Sequence, residues 1–129
     1  MLCAIWLIVV ALIVLWPTPV DRAGGEVLRR VLTYLYAHGL PTFVTYSSVE
    51  FLSNVLMFVP LGLFWCILAP RAWRWWGPVA GFGLSVLIEV TQSALLPQRF
   101  ATPYDVLGNT LGALAGAVLG MALVLSRFR

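Results

Sequence analysis

Hydrophobic runs and short polar breaks alternate along the chain with a spacing that predicts membrane-spanning helices. Leu2 to Trp16 is apolar from its first residue and is expected to be a first, short span, below the roughly 20 residues a bilayer core requires. Trp16 and the prolines that follow mark its exit at an interface. No basic segment precedes it and Pro17-Thr18-Pro19 stands where a small-residue cleavage motif would, so a retained helix is expected, not a signal peptide. From about residue 24 to 37 the pattern changes. Val27, Leu28, Val31, Leu32 and Leu35 fall on one helical face and Glu26, Arg29, Arg30 and Thr33 on the other, which predicts an amphipathic helix in the headgroup plane. Further spans are expected over 50–69, 77–96 and 103–125.

The predicted fold class is therefore an all-α membrane protein, with four transmembrane helices and one interfacial amphipathic helix in a single domain over 1–129. Composition agrees: 61% of the residues are hydrophobic and 10% charged, against about 45–50% and 25% in soluble domains. The net charge of +3 comes from eight arginines and no lysine, all placed between or after the apolar runs. That distribution fits snorkelling and topology rather than nucleic-acid binding. Arg71 and Arg74 in one short loop and Arg127 and Arg129 in the tail place both termini in the cytoplasm by the positive-inside rule. Arg22, Arg29, Arg30 and Arg99 then fall outside. Cys3 and Cys66 read as small buried hydrophobes, too few for a disulfide or zinc framework.

Against this background Glu89 stands out, because an acid within a span costs about 2.5–3.5 kcal/mol even on insertion scales and so marks a functional site by default. Gln92 lies one turn on. The second and fourth predicted spans begin alike: Glu50-Phe51-Leu52-Ser53-Asn54-Val55-Leu56 against Asp105-Val106-Leu107-Gly108-Asn109-Thr110-Leu111. Two parallel helices then present an acid and an asparagine at matched depths, about 6 Å apart. All these groups, with Arg99, fall in the outer half of the bilayer.

Each residue also has a purely structural reading. Ser47 with Glu50, and Thr102 with Asp105, have the form of capping boxes. Asn54, Asn109 and Gln92 could serve only as interhelical hydrogen-bond glue, and Arg99 as a headgroup contact or rim partner. Pro60 frees the carbonyl of Leu56. Gly77, Gly81, Ser85 and Glu89, and likewise Gly108, Gly112, Gly116 and Gly120, form small-residue tracks suited to close helix packing. No nucleophile lies near a histidine in sequence, and no metal-ligand spacing or glycine-rich phosphate loop is present, so no cofactor or metal is expected.

Glu50, Asn54, Phe58-Val59-Pro60-Leu61-Gly62, then Ile88-Glu89-Val90-Thr91-Gln92, then Arg99 with Asp105-Val106-Leu107-Gly108-Asn109-Thr110-Leu111-Gly112, together resemble the VanZ-like family of small bacterial membrane proteins. The likeness covers about half the chain, from Glu50 to Gly116. It implies a bacterial inner-membrane protein, and the founding relative travels with glycopeptide-resistance genes and lowers teicoplanin susceptibility. Many members carry an acid where this chain has Thr102, which leaves Arg99 one partner fewer here.

Two functions remain open from the residues. One is recognition: Glu50, Asn54, Glu89, Gln92, Asp105 and Asn109, gated by Arg99 and the amphipathic segment, are expected to form an outward-facing polar pocket for an envelope lipid, a peptidoglycan precursor or a lipoglycopeptide. The other is hydrolysis or transfer on a lipid-linked substrate with Glu89 as general acid or base. Proton-coupled transport is disfavoured because the inner half offers no polar route.

Overall fold

Helix boundaries follow local chemistry closely. In the computed structural model, which describes residues 1–14, 21–95 and 102–126, the elements are α1 (Leu2–Val14), α2 (Asp21–Ala37), α3 (Tyr46–Leu68), a 3-10 helix (Arg71–Trp76), α4 (Gly77–Leu95) and α5 (Pro103–Ser126). The expected exit of the first span at Trp16 to Pro19, the loop arginine Arg99, and Arg127 and Arg129 of the tail lie outside the described residues.

Gly39 ends α2. Its φ of 96° is open to glycine without the Cβ penalty, and it lets Leu40 donate to the Leu35 carbonyl and Gly39 to the Tyr36 carbonyl, a Schellman closure. α3 then begins four residues earlier than the acid Glu50 suggested. Thr45, in an extended conformation, is the N-cap: its hydroxyl accepts from the Ser48 N–H while Ser48 Oγ accepts from the Thr45 N–H. The expected box of Ser47 and Glu50 is thus replaced by the frame two residues upstream. Both frames read as hydroxyl, two residues, polar, and the upstream one forms. Glu50 lies inside the helix, two residues past the N3 position that Ser48 fills.

α3 continues unbroken through Pro60. Proline removes one backbone donor and crowds the preceding turn, and a side chain from another helix acts beside the lesion: Trp6 of α1 donates its indole N–H to the Met57 carbonyl at 3.1 Å. Neighbouring helices commonly satisfy backbone groups at such positions in membranes. At the far end of α3, Trp65 donates to the Trp73 carbonyl at 2.8 Å. Its ring also faces Gly77, where a Cβ would come within 3.1 Å. This fixes the turn into α4.

Three helices, Tyr46–Leu68, Arg71–Leu95 with the 3-10 turn included, and Pro103–Ser126, are long and apolar enough to cross a membrane, and Leu2–Ile13 is a shorter apolar helix. α3 and α5 run parallel in the most extensive interface of the molecule. A Cβ on Gly112 or Gly116 would fall on the carbonyl oxygens of Val55 or Val59. One on Gly62 would fall on the carbonyl of Ala113. Backbone therefore meets backbone along this seam, as small residues allow in membranes. Gly108, Gly112, Gly116 and Gly120 are all buried, as the four-residue track predicted. α4 packs antiparallel on α5 with Gly81 against Ala113. The core is correspondingly thin: Phe58, Cys66, Ala113 and Ala117 are buried, whereas Leu52, Leu56, Val79, Leu87, Leu119 and Leu123 point outward. That inversion is what a lipid-facing surface requires.

Candidate functional site

Two registers determine where the polar residues meet. Along the antiparallel pair, Gly81 faces Ala113, and four residues further out on α4 and four back on α5, Asn109 donates its amide to Ser85 Oγ at 2.8 Å. One more turn of the same register brings Glu89 level with Asp105. A further three residues set Gln92 opposite Thr102. Along the parallel pair, a Cβ on Gly108 would sit 3.2 Å from that of Asn54, which places Asn54 level with Asn109 as the repeated sequence implied.

Two polar tiers result, close to the ends of α3 and α5 that carry their N-termini. The deeper tier holds Asn54, Asn109 and Ser85, and the shallower one Glu50, Asp105 and Glu89. Asn54 joins them, donating its amide to Asp105 Oδ1 at 2.7 Å. Helical side chains lean toward the N-terminus of their own helix, so Asn54 reaches one turn outward rather than sideways to Asn109. Asp105 Oδ2 meanwhile accepts from the Thr102 hydroxyl at 2.6 Å and from the Thr102 N–H at 3.3 Å. Half of the expected box is therefore present: the acid accepts the Thr102 N–H, while the Thr102 hydroxyl donates to the acid instead of accepting a helix N–H. The same carboxylate that closes the start of α5 also ties α5 to α3, and the helix dipole favours the charge there.

The other members differ in exposure. Ser85 is fully buried and Asn109 and Gln92 nearly so. Glu89 is half-buried on α4 and Glu50 exposed on α3. Asn109 Oδ1 is buried and accepts no hydrogen bond within the described residues, an uncommon state for a buried amide. Arg99, expected to gate the site, lies outside the described residues. Ser85 was legible only as one step of the small-residue track, yet it is the hydroxyl that holds Asn109. Its position one turn before Glu89 was the available signal.

The arrangement can donate and accept hydrogen bonds and supply negative charge. Ser85 has no histidine near it among the described residues: His38, the chain's one histidine, lies in the exposed connection after α2, its Nδ1 2.8 Å from the Tyr34 carbonyl.

No curated protein and no solved structure matches the chain. A family model described as VanZ/LLP1 matches residues 2–125, which includes α1 and α2 as well as the half of the chain in which the motifs were recognised. With three helices of membrane-crossing length and a match over nearly its whole extent, this multi-pass membrane protein belongs to the VanZ/LLP1 family.

Proposed function

We propose that the chain is a bacterial inner-membrane protein that recognises, at the two polar tiers, the amine- or hydroxyl-bearing headgroup of an envelope lipid, a peptidoglycan precursor or a lipoglycopeptide, and thereby lowers teicoplanin susceptibility. The observation that carries this reading is the bond by which Asn54 holds Asp105, at the depth where the α4–α5 register of Gly81 on Ala113 and Ser85 on Asn109 brings Glu89. Two carboxylates from different helices at one depth, above a buried amide whose oxygen accepts nothing within the described residues, suit a ligand rich in donors. On this reading α2 gates the pocket together with Arg99, the gate expected from the sequence, which lies outside the described residues. The tiers face outward, both termini lie in the cytoplasm, and α1 completes four spans by local thinning of the bilayer. α2 lies in the headgroup plane. Supporting that placement, Val27, Val31, Tyr34 and Leu35 expose apolar surface while Arg30 and Glu26 pair on the other side at 3.8 Å.

The test is complementation of a deletion strain, read as teicoplanin susceptibility together with an untargeted comparison of envelope lipids and precursors. Glu89→Gln is expected to lose complementation while the protein still accumulates. Glu50→Gln, on the exposed face, is expected to retain most of it. Full complementation by Glu89→Gln, Asp105→Asn and Glu50→Gln alike would sink the proposal.

The same two carboxylates at one level favour a second reading, hydrolysis or transfer on a lipid-linked substrate with Glu89 as general acid or base. Turnover changes the amounts of a substrate and a product, whereas recognition alone leaves their ratio unchanged. The precursor comparison separates the two.

A further inference from the structure

A second feature lies at the opposite end of the bundle from the polar tiers and is independent of their reading. α1 is held to α3 but stands off α4, and the gap forms an apolar groove of about 750 Å³, within the range of about 300–1,000 Å³ typical of ligand sites. Its walls include Leu7 of α1, Phe64 and Trp65 of α3, Trp73 of the 3-10 helix, and Ala80 and Leu84 of α4. In a membrane protein such a groove is reached from the hydrocarbon phase, so its natural occupant is a lipid chain.

The mouth specifies which lipid. Pro70 and Trp73 of the groove wall alternate in sequence with Arg71 and Arg74. Arg71 is exposed and Arg74 half-buried, and Arg74 Nε is buried with no hydrogen-bond partner among the described residues. No acidic side chain lies between Glu50 and Glu89 in sequence, and none follows Asp105. Arg71 and Arg74 are thus sequence neighbours of groove-wall residues, in a stretch of chain without acidic side chains, and guanidinium pairs bidentately with phosphate. Basic pockets between spans bind anionic headgroups by the same chemistry.

We propose that this groove binds one chain of an anionic phospholipid, with Arg71 and Arg74 on its phosphate, and that the bound lipid completes the packing of α1 against α4.

The full chain, reconstituted in phosphatidylcholine vesicles, is titrated with phosphatidylglycerol carrying brominated acyl chains, and tryptophan fluorescence is followed. Trp65 and Trp73 in the wall are quenched when a brominated chain enters. Brominated phosphatidylglycerol is expected to quench at a smaller fraction than brominated phosphatidylcholine. Arg71→Gln or Arg74→Gln should each weaken that preference about fivefold. Ala80→Phe, which fills the groove, should abolish the excess quenching with both arginines intact. Leu84→Phe, a smaller change, repeats the test if Ala80→Phe does not accumulate as folded protein. Equal quenching by the two lipids overturns the proposal. So does a preference that the arginine variants lose but the groove-filling variants keep, because that pattern describes a charged surface without a seat for the chain.

Discussion

Asn54 on α3 and Asp105 on α5 are joined at 2.7 Å across the helix pair whose backbones lie in direct contact, and the same carboxylate accepts the Thr102 hydroxyl and N–H at the start of α5. One residue thus serves a cap and a cross-link. Removing each partner should cost different amounts. Asn54→Ala loses the interhelical bond alone, about 0.6–2 kcal/mol in a membrane interior. Asp105→Ala also loses the cap, typically about 1 kcal/mol more. A double-mutant cycle on thermal unfolding in detergent should give a coupling on the order of 0.5–2 kcal/mol. A coupling near zero would show that the bond contributes nothing.

The glycine seam makes a sharper demand. Gly112→Ala and Gly116→Ala would drive a methyl group into the Val55 and Val59 carbonyls, and each is expected to destabilise by about 1–3 kcal/mol or prevent accumulation, as overpacking does. Gly83 has nothing within 4 Å of a built Cβ. Gly83→Ala should be neutral or gain up to about 1 kcal/mol from helix propensity. Detergent unfolding midpoints of the three variants are the measurement, and equal effects at Gly83 and Gly116 would contradict the packing described.

α1 is held to α3 by the indole of Trp6 on the Met57 carbonyl. Trp6→Phe keeps the ring bulk and loses that hydrogen bond, about 0.5–1.5 kcal/mol. Because Cys3 is half-exposed on α1 and Cys66 fully buried on α3, thiol labelling reports α1 separately. Cys3 should react faster in Trp6→Phe and Cys66 at an unchanged rate. Faster reaction at both positions would mean that the whole bundle has loosened.

Ser85 and Asn109 allow stability to be separated from function. Ser85→Ala strands the Asn109 amide in the core and should cost about 1–3 kcal/mol, whereas Ser85→Ala with Asn109→Leu replaces both polar partners and should cost less. If the deeper tier serves recognition, the double variant unfolds at a higher temperature than Ser85→Ala and still fails to complement the deletion strain. Full complementation by the double variant would reduce this pair to packing.

Much of this was readable in the residues because membranes impose strong constraints. α4 and α5 begin at Gly77 and Pro103 as the hydropathy breaks predicted, since glycine and proline punctuate apolar runs unambiguously. The two four-residue tracks were legible for the same reason, as only small residues permit such contact. The start of α3 was not, because Thr45 to Ser48 and Ser47 to Glu50 offer overlapping capping frames, and the acid looked the stronger partner. The pairing of Asn54 with Asp105, and not with Asn109, depends on side-chain lean, which the aligned repeat does not encode. The groove beside α1 depends on how a short helix stands off its neighbour, and no periodicity expresses a gap.

The backbone seam between α3 and α5 has a consequence for motion. Asn54, Asp105 and Asn109 ride on two helices that interlock carbonyl against glycine and cannot slide or roll past one another without a clash. α4, which carries Ser85, Glu89 and Gln92, meets α5 at Gly81 through the Ala113 methyl and has the freer surface. If the polar tiers widen, the α3–α5 frame predicts that α4 moves and breaks the Asn109–Ser85 bond. A disulfide engineered between α3 and α5 should leave complementation intact, and one between α4 and α5 should abolish it.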